Sequence, residues 1–228
     1  MPFADVSLVT TADGSHSLQL LATGEHYHSQ FGALTESLYV FVKHGLEYFE
    51  QSSTSIRLLE VGFGTGLNTA LALVWSAAQK HPLVYCGLEP FPVPIAVFRS
   101  LNYGEKMSDG AAHPWLQGQY EKLLTGENIE YGLAKVRLIQ QSLLLYETDS
   151  PFNLIFYDAF SPNTQADMWN EASVAKIVSL MAPGAVLVTY CIRGYIRKAF
   201  LALGCMAEKL PGPPGKREML RITKPNHV

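Results

Sequence analysis

Cysteine is scarce in this 228-residue chain, and the three present, Cys86, Cys191 and Cys205, stand in no CxxC or His-flanked spacing. Neither a disulfide framework nor a zinc site is indicated, and the thiols are expected to be buried in a reducing compartment. Charged residues are few as well, at 16% against 48% hydrophobic. That balance buries enough apolar surface to offset the entropy of ordering the chain, so disorder is excluded as the main state. Long apolar runs are missing: the longest weakly polar stretch, Leu67 to Ala78, is too short to span a bilayer. The start, Met1-Pro2-Phe3-Ala4-Asp5, has no basic n-region and no apolar h-region. These absences predict a soluble cytoplasmic protein without membrane attachment. The length predicts one large domain with modest appendages rather than two full-size domains.

The net charge of −3 hides an asymmetry. Residues 191–228 hold eight basic side chains, Arg193, Arg197, Lys198, Lys209, Lys216, Arg217, Arg221 and Lys224, against only Glu208 and Glu218. A polyanion would meet this stretch more favourably than the rest of the chain. An ordinary solvated face, with basic stems lying over apolar neighbours, is the competing explanation.

Two short strands, Val6 to Thr10 and Ser17 to Leu21, are expected around Asp13-Gly14, a pair suited to a hairpin turn. Apolar residues from Leu34 through Phe49 recur at helical spacing, which predicts a helix from Ala33 to about Glu50, ended by Ser52-Ser53-Thr54-Ser55. Beyond it, strand-type runs at Ile56–Val61, Leu83–Leu88, Lys135–Gln140, Asn153–Tyr157 and Ala185–Tyr190 alternate with helix-type stretches. The helices are expected at Leu67–Gln79, Val93–Leu101, Ala166–Met181 and Tyr195–Leu203, with Pro183-Gly184 as a helix stop. Strands separated by helices predict right-handed βαβ crossovers, hence an α/β fold with a mostly parallel sheet. Met206–Leu210 and Met219–Thr223, flanking Pro211-Gly212-Pro213-Pro214-Gly215, read as two late strands around a rigid loop.

The most informative segment is Leu58-Leu59-Glu60-Val61-Gly62-Phe63-Gly64-Thr65-Gly66-Leu67-Asn68. A strand runs into three alternating glycines and then opens a helix, which lets backbone approach a ligand with no Cβ in the way. The GxGxG spacing departs from the GxGxxG of dinucleotide sites, and no GxxxxGK[ST] cradle is present. The next strand ends in Gly87-Leu88-Glu89-Pro90, and a carboxylate about 20 residues past a glycine loop is placed to accept ribose hydroxyls. Glu60 and Glu89 read otherwise as solvated strand ends.

A second constellation is Phe156-Tyr157-Asp158-Ala159-Phe160-Ser161-Pro162 with Met168-Trp169. Asp158 falls at the carboxyl end of the fourth core strand, where ligands of open parallel sheets gather. A carboxylate there can hold a substrate amine among aromatic walls, although Asp after a strand also serves as a turn or cap residue. His16, His26 and His28 lack helical spacing and a completing carboxylate, so no metal is expected. The polar run between hairpin and helix reads better as a lid over a pocket.

Taken together, Thr11-Ala12-Asp13-Gly14-Ser15, Tyr27-His28-Ser29, Gly32-Ala33-Leu34-Thr35-Glu36, the glycine loop, Asp158-Ala159-Phe160-Ser161-Pro162, Tyr190-Cys191 and Gly215-Lys216-Arg217-Glu218-Met219 resemble one family. It is the tRNA 5-methylaminomethyl-2-thiouridine methyltransferase family, and the resemblance spans about residues 11–220. It implies a class I methyltransferase-like Rossmann sheet, mostly parallel with an antiparallel late strand. Residues 1–50 would form an N-terminal hairpin and helix lid, and residues 51–228 a domain that binds S-adenosylmethionine. With no oxidase half in the sequence, the resemblance is to the stand-alone form, without a fused oxidase domain.

The resemblance further implies methyl transfer to the amine of 5-aminomethyl-(2-thio)uridine at the wobble position, in the anticodon loop of tRNA. On the donor side it places Glu60, Gly62, Gly64, Gly66, Asn68, Glu89, Gln141 and Asp158. On the acceptor side it places Asp158 in the reactive segment and Tyr27 and His28 in the lid. Because a fixed anion also favours the ammonium, Asp158 is expected to orient the amine first and take its proton second, with Tyr27 or His28 as relay by their lid position alone. Glu36, Phe160 and Pro162 would complete the substrate pocket, and Lys216 and Arg217 would meet tRNA phosphates. One departure is Gln140-Gln141-Ser142, where many relatives carry an acid near the adenine amino group; an amide oxygen can still accept that hydrogen bond. Two other readings stay open from sequence: an aminopropyltransferase of the spermidine synthase type, whose Gly-Gly-Gly-Asp-Gly loop fits Phe63 and Thr65 poorly, and a non-catalytic RNA-binding module.

Overall fold

The structure is a computed structural model, and it describes residues 5–49 and 55–226. Strands β1 (Val6–Thr10) and β2 (His16–Leu20) form an antiparallel hairpin of their own, with Thr10 facing His16 across the turn. The turn is held by Asp13, whose Oδ1 accepts from Thr11 Oγ1 at 2.9 Å and from the Ser15 backbone N–H at 3.0 Å. Its Oδ2 accepts from Thr35 N at 2.9 Å and Thr35 Oγ1 at 2.8 Å, which binds the hairpin to the first turn of α1 (Ala33–Ser37). Burial would raise the Asp13 pKa, but these bonds from Ser15 and Thr35 hold the carboxyl well below the usual range.

The single helix expected from Ala33 to about Glu50 is corrected. α1 passes into a wider π turn at Leu38–Lys43, and a separate 3₁₀ turn follows at Leu46–Phe49. The break falls at Gly45, where a Cβ would overlap the Phe41 carbonyl and crowd Phe156 of the sheet. The terminator foreseen at Ser52-Ser53-Thr54 lies outside the described residues.

The main body comprises β3 (Ile56–Val61), α2 (Leu67–Gln79), β4 (Leu83–Leu88), α3 (Ile95–Arg99), α4 (Tyr103–Lys106), α5 (Ala112–Leu124), β5 (Ile129–Tyr131), β6 (Ala134–Ile139), β7 (Phe152–Tyr157), α6 (Glu171–Leu180), β8 (Met181–Thr189), α7 (Gly194–Ala202), β9 (Met206–Pro211) and β10 (Glu218–Thr223). Among the described residues these strands form an eight-stranded sheet in the order β5-β6-β4-β3-β7-β8-β10-β9. The five central strands are parallel, while β5, β10 and β9 pair antiparallel. This is the mostly parallel α/β sheet that the alternation predicts, with the antiparallel late pairing that the family resemblance implies.

Successive residues of the central strands feed opposite faces. Leu58, Tyr85 and Leu154 pack with α2 and α5, while Leu59, Cys86 and Ile155 pack with α6 and α7. Leu18, Val40 and Phe41 of the N-terminal segment join the α2 and α5 side of that core. From β3 the chain moves outward through β4 and β6, then returns to β7 on the other side of β3. The carboxyl ends of β3 and β7 thus flank a switch point, where a crevice opens.

Two further expectations are corrected. The helix foreseen over Ala166–Met181 is interrupted at Asn170, whose side chain accepts from Ser173 N at 2.9 Å and starts α6 anew after a 3₁₀ turn at Ala166–Trp169. Pro183-Gly184 does not stop a helix. It lies inside β8, where the β7 pairing slips between Phe152 and Leu154 and Gly184 takes φ +74°, as in a bulge. No helix of the described residues is long and apolar enough to cross a membrane.

Candidate functional site

The glycine loop leaves β3 at its carboxyl end. Gly62 N and Phe63 N both donate to Leu88 O, at 3.0 and 3.3 Å, so the loop stays against the end of β4. Gly62, at φ +93°, sits where a Cβ would come within 2.5 Å of the Asp158 carbonyl oxygen. Gly64 N donates to Glu89 Oε2 at 3.1 Å, and Phe91 N donates to Oε1 of the same carboxylate at 3.0 Å. Burial nevertheless pushes Glu89 up to about 7, against those two backbone bonds.

Beneath the loop lies a linked set of carboxylates. Asn68 Nδ2 donates both to Glu60 Oε1 and to Asp158 Oδ2, each at 2.9 Å. Glu60 Oε2 accepts from Tyr85 Oη at 2.6 Å and from Thr69 Oγ1 at 3.4 Å. Burial drives the Glu60 pKa well above the usual range, opposed by the bonds from Tyr85 and Asn68. Asp158 rises to about 7, first through burial and then through the charge of Glu36, with Asn68 and Lys216 opposing. Because Asn68 nitrogen faces two acceptors, its Oδ1 is the remaining acceptor; it is buried and without a hydrogen-bond partner.

Around this set opens a cavity of about 380 Å³, within the range of small-molecule sites. Gly62, Phe63, Gly64, Thr65, Leu67 and Asn68 line it from the loop, Leu88 to Phe91 from the end of β4, and Gln141 to Leu143 from the end of β6. Asp158 to Phe160, Gln165, Asp167, Met168 and Tyr190 close the far side, and His26 to His28 cover it. The Tyr27 ring meets Phe160 edge to face at 4.7 Å between centroids. Glu25 Oε1 accepts from Ser161 N at 2.8 Å, which fastens the cover to the Asp158 segment.

The electrostatics of this wall have one sign. Among the described residues it contains Glu89, Asp158 and Asp167 and no lysine or arginine. His28 adds no charge near neutral pH, because burial lowers its pKa to about 4 despite the attraction of Glu36. Its Nδ1 lies 3.0 Å from Ser17 Oγ. Such a cavity favours a cationic ligand.

Of the residues singled out by sequence, Gly62, Gly64, Asn68, Glu89, Gln141, Asp158, Phe160, Tyr27 and His28 are brought together on the wall. Gly66, Glu60, Glu36, Pro162, Lys216 and Arg217 do not line it. Glu60 is a buttress, since its oxygens are taken up by Tyr85, Thr69 and Asn68. Lys216, foreseen on a phosphate, is instead ion-paired with the buried Glu36, and its ammonium stands 3.9 Å above the Tyr190 ring. Glu36 Oε2 accepts from Ser29 N at 2.8 Å, so this pair joins the cover to the loop between β9 and β10. Arg217 is exposed. Sequence reasoning did not single out Thr65, Asp167 or Glu25 for the site. Tyr190 follows β8 at its carboxyl end, the same signal that marks Glu89 and Asp158. Among the described residues no cluster of His, Cys, Asp or Glu is arranged to hold a metal ion.

The model of an S-adenosyl-L-methionine-dependent methyltransferase family matches residues 111–225. The tRNA 5-methylaminomethyl-2-thiouridine biosynthesis bifunctional protein MnmC of Aromatoleum aromaticum is 30% identical over 234 residues, covering 97% of this chain and 36% of that protein. The protein of the same name from Ectopseudomonas mendocina is 30% identical over 216 residues, covering 86% of this chain and 32% of its own length. The chain thus spans about a third of the length of these bifunctional relatives. The crystal structure of MNMC2 from Aquifex aeolicus superimposes with a TM-score of 0.77 at 25% identity, covering 97% of this chain and 70% of that one.

Proposed function

The chain belongs to the S-adenosyl-L-methionine-dependent methyltransferase family, and on that premise we propose that it methylates the amine of 5-aminomethyl-(2-thio)uridine at the wobble position of the tRNA anticodon loop. The observation that carries this reading is the cation-free cavity, in which Asp158 is held by Asn68 opposite the glycine loop and beneath Tyr27 and Phe160. The likeness to proteins named for tRNA 5-methylaminomethyl-2-thiouridine biosynthesis supports the choice of acceptor. With tRNA as the acceptor, we propose the cytoplasm as the place of the reaction.

Two features fit S-adenosylmethionine to these residues: the unpartnered Asn68 Oδ1, and the close seating of the glycine loop on the end of β7, where a Cβ at Gly62 would meet the Asp158 carbonyl oxygen. When bound, this cofactor supplies a methyl group made electrophilic by its sulfonium. Gly62, Gly64, Asn68 and Asp158 would hold its amino-acid end, and Glu89 its ribose hydroxyls. Gln141 Nε2 donates to Leu145 O at 3.1 Å, which leaves Oε1 as the acceptor suited to the adenine amino group.

Asp158 receives the acceptor amine as an oriented partner. As an anion it also favours the ammonium form, so orientation is its first role and proton acceptance its second. Burial raises the Tyr27 phenol, and the Glu89 charge adds to it, so Tyr27 stays protonated. His28, lowered to about 4, is a weak base. The proton therefore passes to Asp158 or to solvent, and Tyr27 and His28 serve the lid.

Donor affinity is expected to fall as pH drops through about 7, where Glu89 and Asp158 take up protons and cease to attract a cation. The loss approaches about tenfold per pH unit for each group that must ionise. Calorimetric titration from pH 5.5 to 8.5 measures it, and Glu89→Gln is expected to flatten the dependence and weaken binding about 10- to 100-fold. The acceptor is tested by methylating unfractionated tRNA from a strain lacking the activity, then measuring its nucleosides by mass spectrometry. Methyl gain at the wobble uridine supports the reading; gain elsewhere, or none, overturns it.

A further inference from the structure

Phe31 lies three residues beyond His28 of the cavity cover, yet 61% of it is exposed. Its ring rests on Gly215, where φ is +83° and a Cβ would overlap the ring. The backbone of the loop between β9 and β10 thus supports this aromatic, and the rest of the ring faces solvent. Antiparallel pairing of Leu220 with Thr189 brings that loop to the sheet edge where β8 ends, which is the edge of the cavity. Arg217 on the loop and Arg193, just after β8, are both exposed there. Neither has an acidic partner among the described residues; Arg193 reaches only Asn163 Oδ1, at 3.4 Å.

The basic C-terminal stretch sorts accordingly. Lys209, Lys216 and Arg221 are neutralised by glutamates, and Lys224 Nζ is bound to the carbonyls of Val178 and Met181. The cations left over include the two at the cavity edge beside an exposed ring, on a chain whose net charge is negative. An exposed aromatic ring with unpaired guanidinium groups on the same edge of the sheet matches unpaired nucleotides, which stack a base and present phosphates on either side.

We propose that Phe31, seated on Gly215, is a stacking platform for an unpaired base neighbouring the target nucleotide, with Arg193 and Arg217 taking the flanking phosphates. This rests on the tRNA reading above and adds to it where the loop of the RNA lies. The test is steady-state methylation and direct binding of tRNA by Phe31→Ala, Phe31→Trp, Arg193→Gln and Arg217→Gln, alongside calorimetric binding of S-adenosylmethionine. Phe31→Ala is expected to weaken tRNA binding roughly 5- to 150-fold, the range of one base-aromatic stack. Donor affinity and kcat at saturating tRNA should stay within about threefold, and Phe31→Trp should restore binding, since base stacking accepts any aromatic face. Each arginine variant should lower the slope of log affinity against log salt by about 1.

Unchanged tRNA affinity in Phe31→Ala, with the parent protein active on tRNA, overturns the platform and leaves the tRNA reading intact. A matching loss of donor affinity also overturns it, by assigning Phe31 to the lid. If the parent protein methylates no tRNA, both readings fail together, and that control is scored first.

Discussion

Asp158→Asn is expected to lower kcat about 10²- to 10⁴-fold, the range associated with losing a positioned acid-base group. The fold should survive. An Asn side chain at this place still offers an oxygen to Asn68 Nδ2, so the bridge between Glu60 and residue 158 can persist. What disappears is the anion facing the acceptor amine. The amide instead turns a donor toward a group that is itself a donor when protonated, and the nitrogen loses its alignment with the methyl group. The pH profile separates this from a packing defect. Asp158 is pushed up to about 7, so kcat/KM of the parent enzyme should fall below about pH 7, and the limb belonging to this group should vanish in the variant.

Stability gives an independent sign. A carboxyl with a raised folded pKa binds protons more tightly when native, so its contribution to stability declines as pH rises from the unfolded value toward 7 and stays unfavourable above it. The variant lacks that cost at pH 8. Its melting temperature there should match or exceed that of the parent, the usual sign of a functional group held in an unfavourable environment. Near-normal turnover at saturating substrate would withdraw Asp158 from the reaction.

The parts of the site legible in sequence were those that follow from backbone rules. A strand entering alternating glycines, with carboxylates at the ends of the following core strands, places Gly62, Gly64, Glu89 and Asp158 on one edge of a parallel sheet whatever the side-chain details. Tyr190 obeys the same rule. The contacts that sequence reasoning misassigned are between distant segments. Nothing in the spacing shows that Lys216 pairs with Glu36, or that the acid before the first glycine is spent on Tyr85 and Asn68. Helix α5 went unforeseen although Leu116, Tyr120 and Leu123 keep helical spacing, because Pro114 and Gly118 interrupt the pattern. The breaks at Gly45 and Asn170 depend on a carbonyl packed against the one and a backbone N–H capped by the other. Asp13-Gly14, legible in sequence as a hairpin turn, also ties that hairpin to α1 through the bonds of Asp13 to Thr35, which no local pattern shows.

Gly62→Ala tests the cradle itself. At φ +93° an L side chain is strained wherever it points, and the added Cβ would lie 2.5 Å from the Asp158 carbonyl oxygen and 3.0 Å from its carbon. Those are backbone atoms, so no rotamer change relieves the overlap. Either the loop lifts or the end of β7 moves, and the two are tied together because Asp158 N donates to Val61 O at 3.0 Å. Strain of this kind costs about 2–4 kcal/mol, read as a lower urea midpoint at unchanged slope. Donor affinity should fall about 100-fold or more, because the displacement reaches Gly64 N and Glu89 on one side and Asp158 on the other. A substitution that clears the backbone provides the contrast. At Gly118, on the surface of α5, an added Cβ meets nothing within 4 Å, and Gly118→Ala should raise stability by about 0.5–1 kcal/mol without touching donor binding. If Gly62→Ala instead bound S-adenosylmethionine as tightly as the parent protein, the loop would not be the donor seat, and the assignment of Glu89 and Asn68 to the cofactor would fall with it.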